Sequence, residues 1–265
     1  MRILQLSDPH LLADPAGLCH GRPALALLRH GLQEALRQLR AAGEAPDLLL
    51  ISGDLCDDES WGGYARLGEW LQALPLPVAL LAGNHDQPAL LRAALGRRAV
   101  IAPALVRCGH GWLLLLDSHR SGATDGELGP LQLDWLRRQL AAGVTAGGQP
   151  LLVAVHHPPV PIGDGAMDAI RLRDGEALLD LLRPLSALRG LVFGHVHQHW
   201  QGGLPGRPEV PLLGCPSTLR SFPAVQRCPL ERPDDPGGRW LHIGVDSVLR
   251  QRLLRWAPFD GPSLG

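Results

Sequence analysis

Short apolar runs recur along the chain as far as residue 197, and each is closed by a polar cluster rich in Asp, Asn and His. Ile3 to Leu6 reads as a buried strand ending in Ser7-Asp8-Pro9-His10. Asp47 to Ser52 is apolar without alternation, which suits a strand covered on both faces, and it ends in Gly53-Asp54-Leu55-Cys56-Asp57-Asp58. Val78 to Ala82 leads into Gly83-Asn84-His85-Asp86, Leu151 to Val155 into His156-His157-Pro158-Pro159, and Leu191 to Phe193 into Gly194-His195-Val196-His197. Between these runs the apolar spacing becomes helical. Leu25, Leu28, Leu32, Leu36 and Leu39 form one stripe that starts after Pro23 and stops at Gly43. Further helices are predicted over roughly Ser60 to Ala73, from near Gln87, over Leu128 to Ala141 and over Gly175 to Leu182. Ala104 to Cys108 and Trp112 to Asp117 read as a hairpin across Gly109-His110-Gly111.

This alternation predicts right-handed crossovers and a largely parallel sheet, with the five polar strand ends at one edge of it. Past residue 197 the segments Trp200 to Gly203, Val210 to Gly214, Trp240 to Val245 and Leu249 to Trp256 are short and separated by Pro/Gly-rich turns. They read as antiparallel strands of a second sheet. With no repeat and no long linker, the expectation is a single domain over 1–265, its motif-bearing core at about 1–200 and second-sheet strands at about 200–257. The tail from Pro258 is expected to be loose.

Composition narrows the function. The chain is 45% hydrophobic and 19% charged with a net charge of −1, so a partner held through a long phosphate backbone is not expected, while a small phosphate ester is. All 25 basic residues are Arg, which excludes Lys Schiff-base chemistry and a Lys-type phosphate loop. Five Cys with no CxxC pair argue against a disulfide framework and a zinc ribbon. Asp8 follows the N-terminus too closely for a signal peptide, and no apolar run is long enough to span a membrane. The expected location is the cytoplasm.

The strand ends collect Asp8, His10, Asp54, Asn84, His85, His156, His195 and His197. Imidazole, carboxylate and amide without thiolate is the donor set of a catalytic rather than a structural metal site. In Asp8-Pro9-His10 and His195-Val196-His197 an extended backbone would send both side chains the same way. The seven of these other than His85 exceed one ion and suit two sharing a bridging carboxylate, about 3.5–4 Å apart, the spacing used for phosphoryl chemistry.

Asp8-x-His10, Gly53-Asp54-x-x-Asp57, Gly83-Asn84-His85-Asp86, His156-x-Pro158 and Gly194-His195-x-His197 resemble, complete and in order, the five motifs of the calcineurin-like metallophosphoesterases. The resemblance implies an α/β fold, a four-layer αββα sandwich of two mixed β-sheets flanked by helices. Within that superfamily, Asp8-Pro9-His10-Leu11, His156-His157-Pro158-Pro159, Met167-Asp168, Cys215-Pro216-Ser217-Thr218 and Pro236-Gly237-Gly238-Arg239-Trp240 resemble the bacterial class III cyclic-nucleotide phosphodiesterases. Leu219-Arg220-Ser221-Phe222 departs from them, lacking the expected Gln. The implied activity is hydrolysis of 3′,5′-cyclic AMP to 5′-AMP by metal-activated hydroxide. The alternatives are another diester, such as a glycerophosphodiester or 2′,3′-cyclic nucleotide, or a non-catalytic metal-binding scaffold.

Matched motif by motif, the resemblance implies one ion on Asp8, His10, Asp54 and His197 and another on Asp54, Asn84, His156 and His195. Iron or manganese is the expected pair, with zinc or cobalt also accepted by such donors. His85 is expected to act as general acid or as a hydrogen-bond donor to the transition state, with Asp86 orienting it, and Asn84, His85 and His197 to meet substrate. His157 is expected to support the ligands, Asp57 to fix its loop and Asp117-Ser118-His119 to be a strand end. His20 and His199 read as solvated loop residues, His30 and His110 as structural, and Cys56 as a buried filler. Members of the family often pair, so a homodimer is the expected assembly.

Overall fold

The computed structural model describes residues 1–142 and 147–259. Its strands are β1 (Arg2–Leu6), β2 (Leu48–Ile51), β3 (Val78–Leu80), β4 (Val100–Ile101), β5 (Ala104–Cys108), β6 (Gly111–Leu115), β7 (Leu151–Val155), β8 (Leu188–Phe193), β9 (Trp200–Leu204), β10 (Arg207–Gly214), β11 (Gly237–Ile243) and β12 (Leu249–Arg255). Its helices are α1 (Ala24–Ala41), α2 (Trp61–Gln72), α3 (Pro88–Leu95), α4 (Gly129–Ala141), α5 (Gly165–Ala169) and α6 (Gly175–Leu182). Ser60 caps α2 by accepting from Gly63 N, and Pro88 opens α3 where a missing N–H costs nothing.

The strands form two mixed six-stranded sheets, in the orders β12-β11-β1-β2-β3-β4 and β5-β6-β7-β8-β10-β9. Alternation along each strand separates three apolar layers. From β1 and β2, Ile3, Leu48 and Leu50 face the space between the sheets, where they meet Leu152 and Ala154 of β7. Leu4, Leu6, Leu49 and Ile51 face the opposite way, onto Leu28 and Leu32 of α1 and Leu67 of α2. Val153, Val155 and Phe193 of the other sheet meet Leu136 of α4 and Leu178 and Leu182 of α6. Both faces of β2 and β7 are covered, hence their unbroken apolar runs. The four-layer sandwich is therefore present.

Two expectations are corrected. The polar strand ends do not share one sheet: β1, β2 and β3 belong to the first and β7 and β8 to the second, so the ends converge across the gap between sheets. Nor do the late segments form one second sheet. β11 pairs antiparallel with β1 and β12 with β11, in the first sheet, while β10 runs parallel to β8 with β9 at the edge of the second. At the tail, Phe259 lies 5.4 Å from the His30 ring; 260–265, also expected to be loose, lie outside the described residues. All five cysteines are free and buried. Among the described residues no helix is long and apolar enough to cross a membrane.

Candidate metal centre

The β1–β2 ladder runs on past both strands. Asp8 N donates to Gly53 O at 3.1 Å and His10 N to Asp54 O at 2.9 Å, which sets the two polar loops side by side. The backbone there is not extended. Asp8, His10, Asp54, His195 and His197 all have left-handed φ, between 48° and 65°. Extended alternation, the basis on which Asp8/His10 and His195/His197 were expected to point together, is thus replaced by tight turns. Such conformations in non-glycine residues concentrate at functional sites.

The turns bring donors of Asp8, His10, Asp54 and His197 within 4.8 Å of one another, all four buried. His10 Nε2 lies 3.1 Å from His197 Nε2, and His197 Nε2 lies 3.6 Å from Asp8 Oδ1. A second group stands beside it. His156 Nε2 is 3.5 Å from Asp54 Oδ1, and His195 Nδ1 is 2.9 Å from Asn84 Oδ1. Asp54 faces both groups, since its Oδ2 is also 3.8 Å from His10 Nε2.

These residues fit a pair of cations. Asp8 Oδ2, His156 Nε2, His195 Nε2 and His197 Nδ1 are buried without a hydrogen-bond partner among the described residues, a costly state for polar atoms unless a ligand meets them. His156 Nδ1 lies 2.7 Å from the carbonyl of Ser52 and so donates to it, which leaves Nε2 as the nitrogen that a cation would meet on displacing its proton. Two glycines keep the space open. A Cβ on Gly53 would lie 2.1 Å from His156 Nδ1, and one on Gly83 would lie 2.2 Å from Asp54 Oδ1. Burial pushes Asp8 up to about 6 although His156 opposes it. Burial also acts against the charge of Asp54, but the adjacent His156 outweighs it and holds that carboxyl well below its usual range. His156 rises to about 9 because Asp54 and Asp8 overcome its own burial. Buried carboxylates that take positive charge from an imidazole are an electrostatic setting suited to a bound cation.

His85 sits at the mouth, its side chain 41% exposed, and lines a cleft of about 780 Å³ with Asn84, Gln87, Arg92, His119 and Thr124. Asp86 does not orient it. The Asp86 carboxylate is buried and accepts from Leu55 N, Cys56 N, Gly83 N and Tyr64 Oη. It ties the Gly83–Asp86 turn to the Asp54 loop. The carboxylate at His85 is Asp57, whose Oδ1 lies 3.2 Å from His85 Nδ1 and 2.9 Å from His10 Nδ1. Those two bonds hold Asp57 far below the usual carboxylate range, and Asp57 in turn raises His85. The spacing Asp54-x-x-Asp57, with two residues between, is the sequence signal for this pairing; adjacency of His85 and Asp86 misleads.

The remaining histidines separate cleanly. Both nitrogens of His157 are engaged, Nδ1 with Ser118 Oγ at 2.8 Å and Nε2 with Thr124 O at 3.2 Å, while its ring packs 4.6 Å from that of His195. His119 Nδ1 meets the Gly83 carbonyl at 2.9 Å. Buried His199 is bound to Arg239, away from the centre, and is not a solvated loop residue. His30 and His110 each meet a backbone carbonyl. Phe222, which the sequence marks only as part of the departing Leu219–Phe222 run and gives no role, stacks on His197 at 4.3 Å with the rings 4° from parallel.

A profile of the family described as calcineurin-like phosphoesterase matches residues 1–199. The chain is 48% identical over 263 residues to a probable cyclic nucleotide phosphodiesterase of Synechococcus sp. (strain WH7803), spanning 97% of each. It is 38% identical over 257 residues to the 3′,5′-cyclic adenosine monophosphate phosphodiesterase CpdA of Pseudomonas aeruginosa, covering 96% of this chain and 89% of that one. In fold it resembles a dimetal phosphatase from Danio rerio, with a TM-score of 0.63 at 14% identity over 96% of both chains.

Proposed function

The chain belongs to the calcineurin-like phosphoesterase family of hydrolases, and we propose that it cleaves 3′,5′-cyclic AMP to 5′-AMP. The observation that carries this reading is the pair of buried donor groups sharing Asp54, with His85 beside them at the cleft. Likeness over nearly the whole chain to relatives named as cyclic-nucleotide phosphodiesterases supports the substrate class. The cleft volume of about 780 Å³ falls within the range of about 300–1,000 Å³ for small-molecule sites.

In this reading Asp8, His10, Asp54 and His197 hold one ion, and Asp54, Asn84, His156 and His195 the other. Two divalent cations, iron or manganese by preference and zinc or cobalt by donor type, would supply an acidified water and neutralise phosphoryl charge. The chain's own work is positional. Asp57 fixes the His85 ring through Nδ1, which leaves Nε2 to give a proton to the departing 3′ oxygen. Asn84 and His197 flank the phosphoryl group, and Phe222 holds the His197 ring plane.

The test is turnover of cyclic AMP beside bis-p-nitrophenyl phosphate, using protein stripped of metal and reloaded with manganese or iron. Restored cleavage of both, with cyclic AMP preferred, is the expected result. Cleavage of the artificial diester alone overturns the substrate and moves glycerophosphodiesters and 2′,3′-cyclic nucleotides forward. Cleavage of neither, with two metals bound, favours a scaffold.

A further inference from the structure

The rim of the centre carries a second donor set, of which the reaction uses only Asp57. The loop between β1 and α1 brings Cys19 and His20 against Asp57. The Cys19 sulfur, a ring nitrogen of His20 and a carboxylate oxygen of Asp57 lie within 4.8 Å of one another. The loop is pinned there: Cys19 and Arg22 exchange backbone hydrogen bonds of 3.0 and 2.9 Å. His20 has a left-handed φ of 47°, a turn through which two adjacent side chains reach one carboxylate. Cys19 is buried while His20 is exposed, so the cluster is open to solvent on one side.

The chemistry of this set differs from that of the main centre. It contains sulfur, and thiolate with imidazole and carboxylate is a zinc-type donor set rather than one for harder cations. Burial and the Asp57 charge push the Cys19 thiol up to about 12. It is therefore no free nucleophile at neutral pH, and a cation must displace its proton.

We propose that Cys19, His20 and Asp57 form an inhibitory zinc site at the rim of the catalytic centre. On binding, the Cys19 Sγ–H proton passes to water, His20 gives a neutral ring nitrogen and Asp57 an oxygen, and water completes the coordination. Asp57 is also the carboxylate on His85 and His10. A cation on it competes for the negative charge that holds His85, so turnover falls while the main ions stay. The inhibitory consequence rests on the phosphodiesterase reading; the site itself does not.

The experiment uses manganese-loaded protein. Cadmium, a spectroscopic stand-in for zinc, is titrated without substrate while sulfur-to-cadmium charge-transfer absorbance is followed. Zinc is then titrated against turnover of bis-p-nitrophenyl phosphate, with manganese content measured in the same samples. The expected result is a saturating band at one added ion per chain, and inhibition with manganese retained. Cys19→Ser should abolish the band, leave basal turnover unchanged and raise the inhibitory zinc concentration about tenfold or more. His20→Ala, on an exposed side chain, should weaken both effects and keeps the test decisive if Cys19→Ser folds poorly. A band surviving in Cys19→Ser, an unchanged zinc midpoint in both variants, or inhibition accompanied by manganese loss would overturn the proposal. A Cys19-dependent band in a protein that cleaves no phosphodiester would instead overturn the functional reading and keep the site.

Discussion

Asp57→Asn isolates the charge that the centre places on His85. The Oδ1 atom lies 3.2 Å from His85 Nδ1, a separation at which unit charges attract by about 5 kcal/mol at an effective dielectric of about 20. The His85 side chain is 41% exposed, so solvent screening takes half or more of that. About 2 kcal/mol then remains for the protonated ring, a roughly 30-fold loss of kcat. Asparagine keeps the shape and one acceptor oxygen, so the fold and both ions should stay, which elemental analysis checks. The assay is kcat on bis-p-nitrophenyl phosphate for Asp57→Asn, His85→Ala and the double variant. If Asp57 acts mainly through His85, only its bond to His10 Nδ1 at 2.9 Å remains once the ring is gone, and in that background Asp57→Asn should cost less than about threefold. Full additivity, or a single variant within about threefold of the parent, would refute the assignment and return Asp86 to consideration.

Gly53→Ala drives a Cβ to 2.1 Å from His156 Nδ1 at a φ of +105°; bound metal should fall below two ions per chain with far-ultraviolet circular dichroism unchanged, and two ions retained would contradict the cradle. Tyr64→Phe removes a hydroxyl that donates to Asp86 at 3.0 Å and accepts from Gln87 N at 2.6 Å; urea unfolding should show a loss of about 2 kcal/mol, and no measurable loss would argue against the Asp86 tie. Burial opposes the Asp47 charge, but hydrogen bonding and charge from Arg2 outweigh it and leave the carboxyl below its usual value. A lowered carboxyl stabilises above its unfolded pKa, about 4, and loses that contribution as pH falls through the folded value; Asp47→Asn should therefore flatten the acid side of the stability profile and leave neutral pH less stable. Chelation should lower the thermal midpoint and reloading restore it, and an unchanged midpoint would mean the donors are held without ions.

Much of this could be read in the chain because strand ends and ligands coincide. An apolar run with both faces covered has no alternation to hide it, and the residues after Leu6, Ile51 and Val155 are polar where the loops begin, with His195 one glycine beyond Phe193. What a run cannot declare is its sheet. Val78–Leu80 and Leu151–Val155 look alike, yet one joins β2 and the other β6 and β8. For β11 a close approach marks the partner that lies far off in sequence: a Cβ on Gly238 would lie 2.7 Å from the Gln5 carbonyl, so the strand pairs with β1 on one side and with β12 on the other, and not with β10. The misassigned partner of His85 has the same origin. Asp86 is adjacent in sequence, but its side chain turns into the Tyr64 cluster, while Asp57 arrives from a parallel loop.

The centre is also expensive for the fold that carries it. Asp8, His10, Asp54, His195 and His197 are five of the seven candidate ligands, and each holds a left-handed backbone. At about 1–2 kcal/mol apiece this strain approaches ~5–10 kcal/mol, the scale of a whole domain's stability. Local sequence cannot sustain that. The turns at Asp8, His10 and Asp54 persist because the β1–β2 ladder continues through them, with Asp8, His10 and Leu11 donating to Gly53, Asp54 and Leu55 at 2.9–3.1 Å, and the turn at His195 is tied to them by its N–H, which donates to Asp8 Oδ1 at 3.1 Å. Asp86 gathers three more N–H groups beneath them. The packed apolar layer between the sheets then restrains the strands that carry the loops. Two sheets are thus needed: each supplies part of the candidate ligand set, and their shared core fixes the separation that lets Asp54 face both groups.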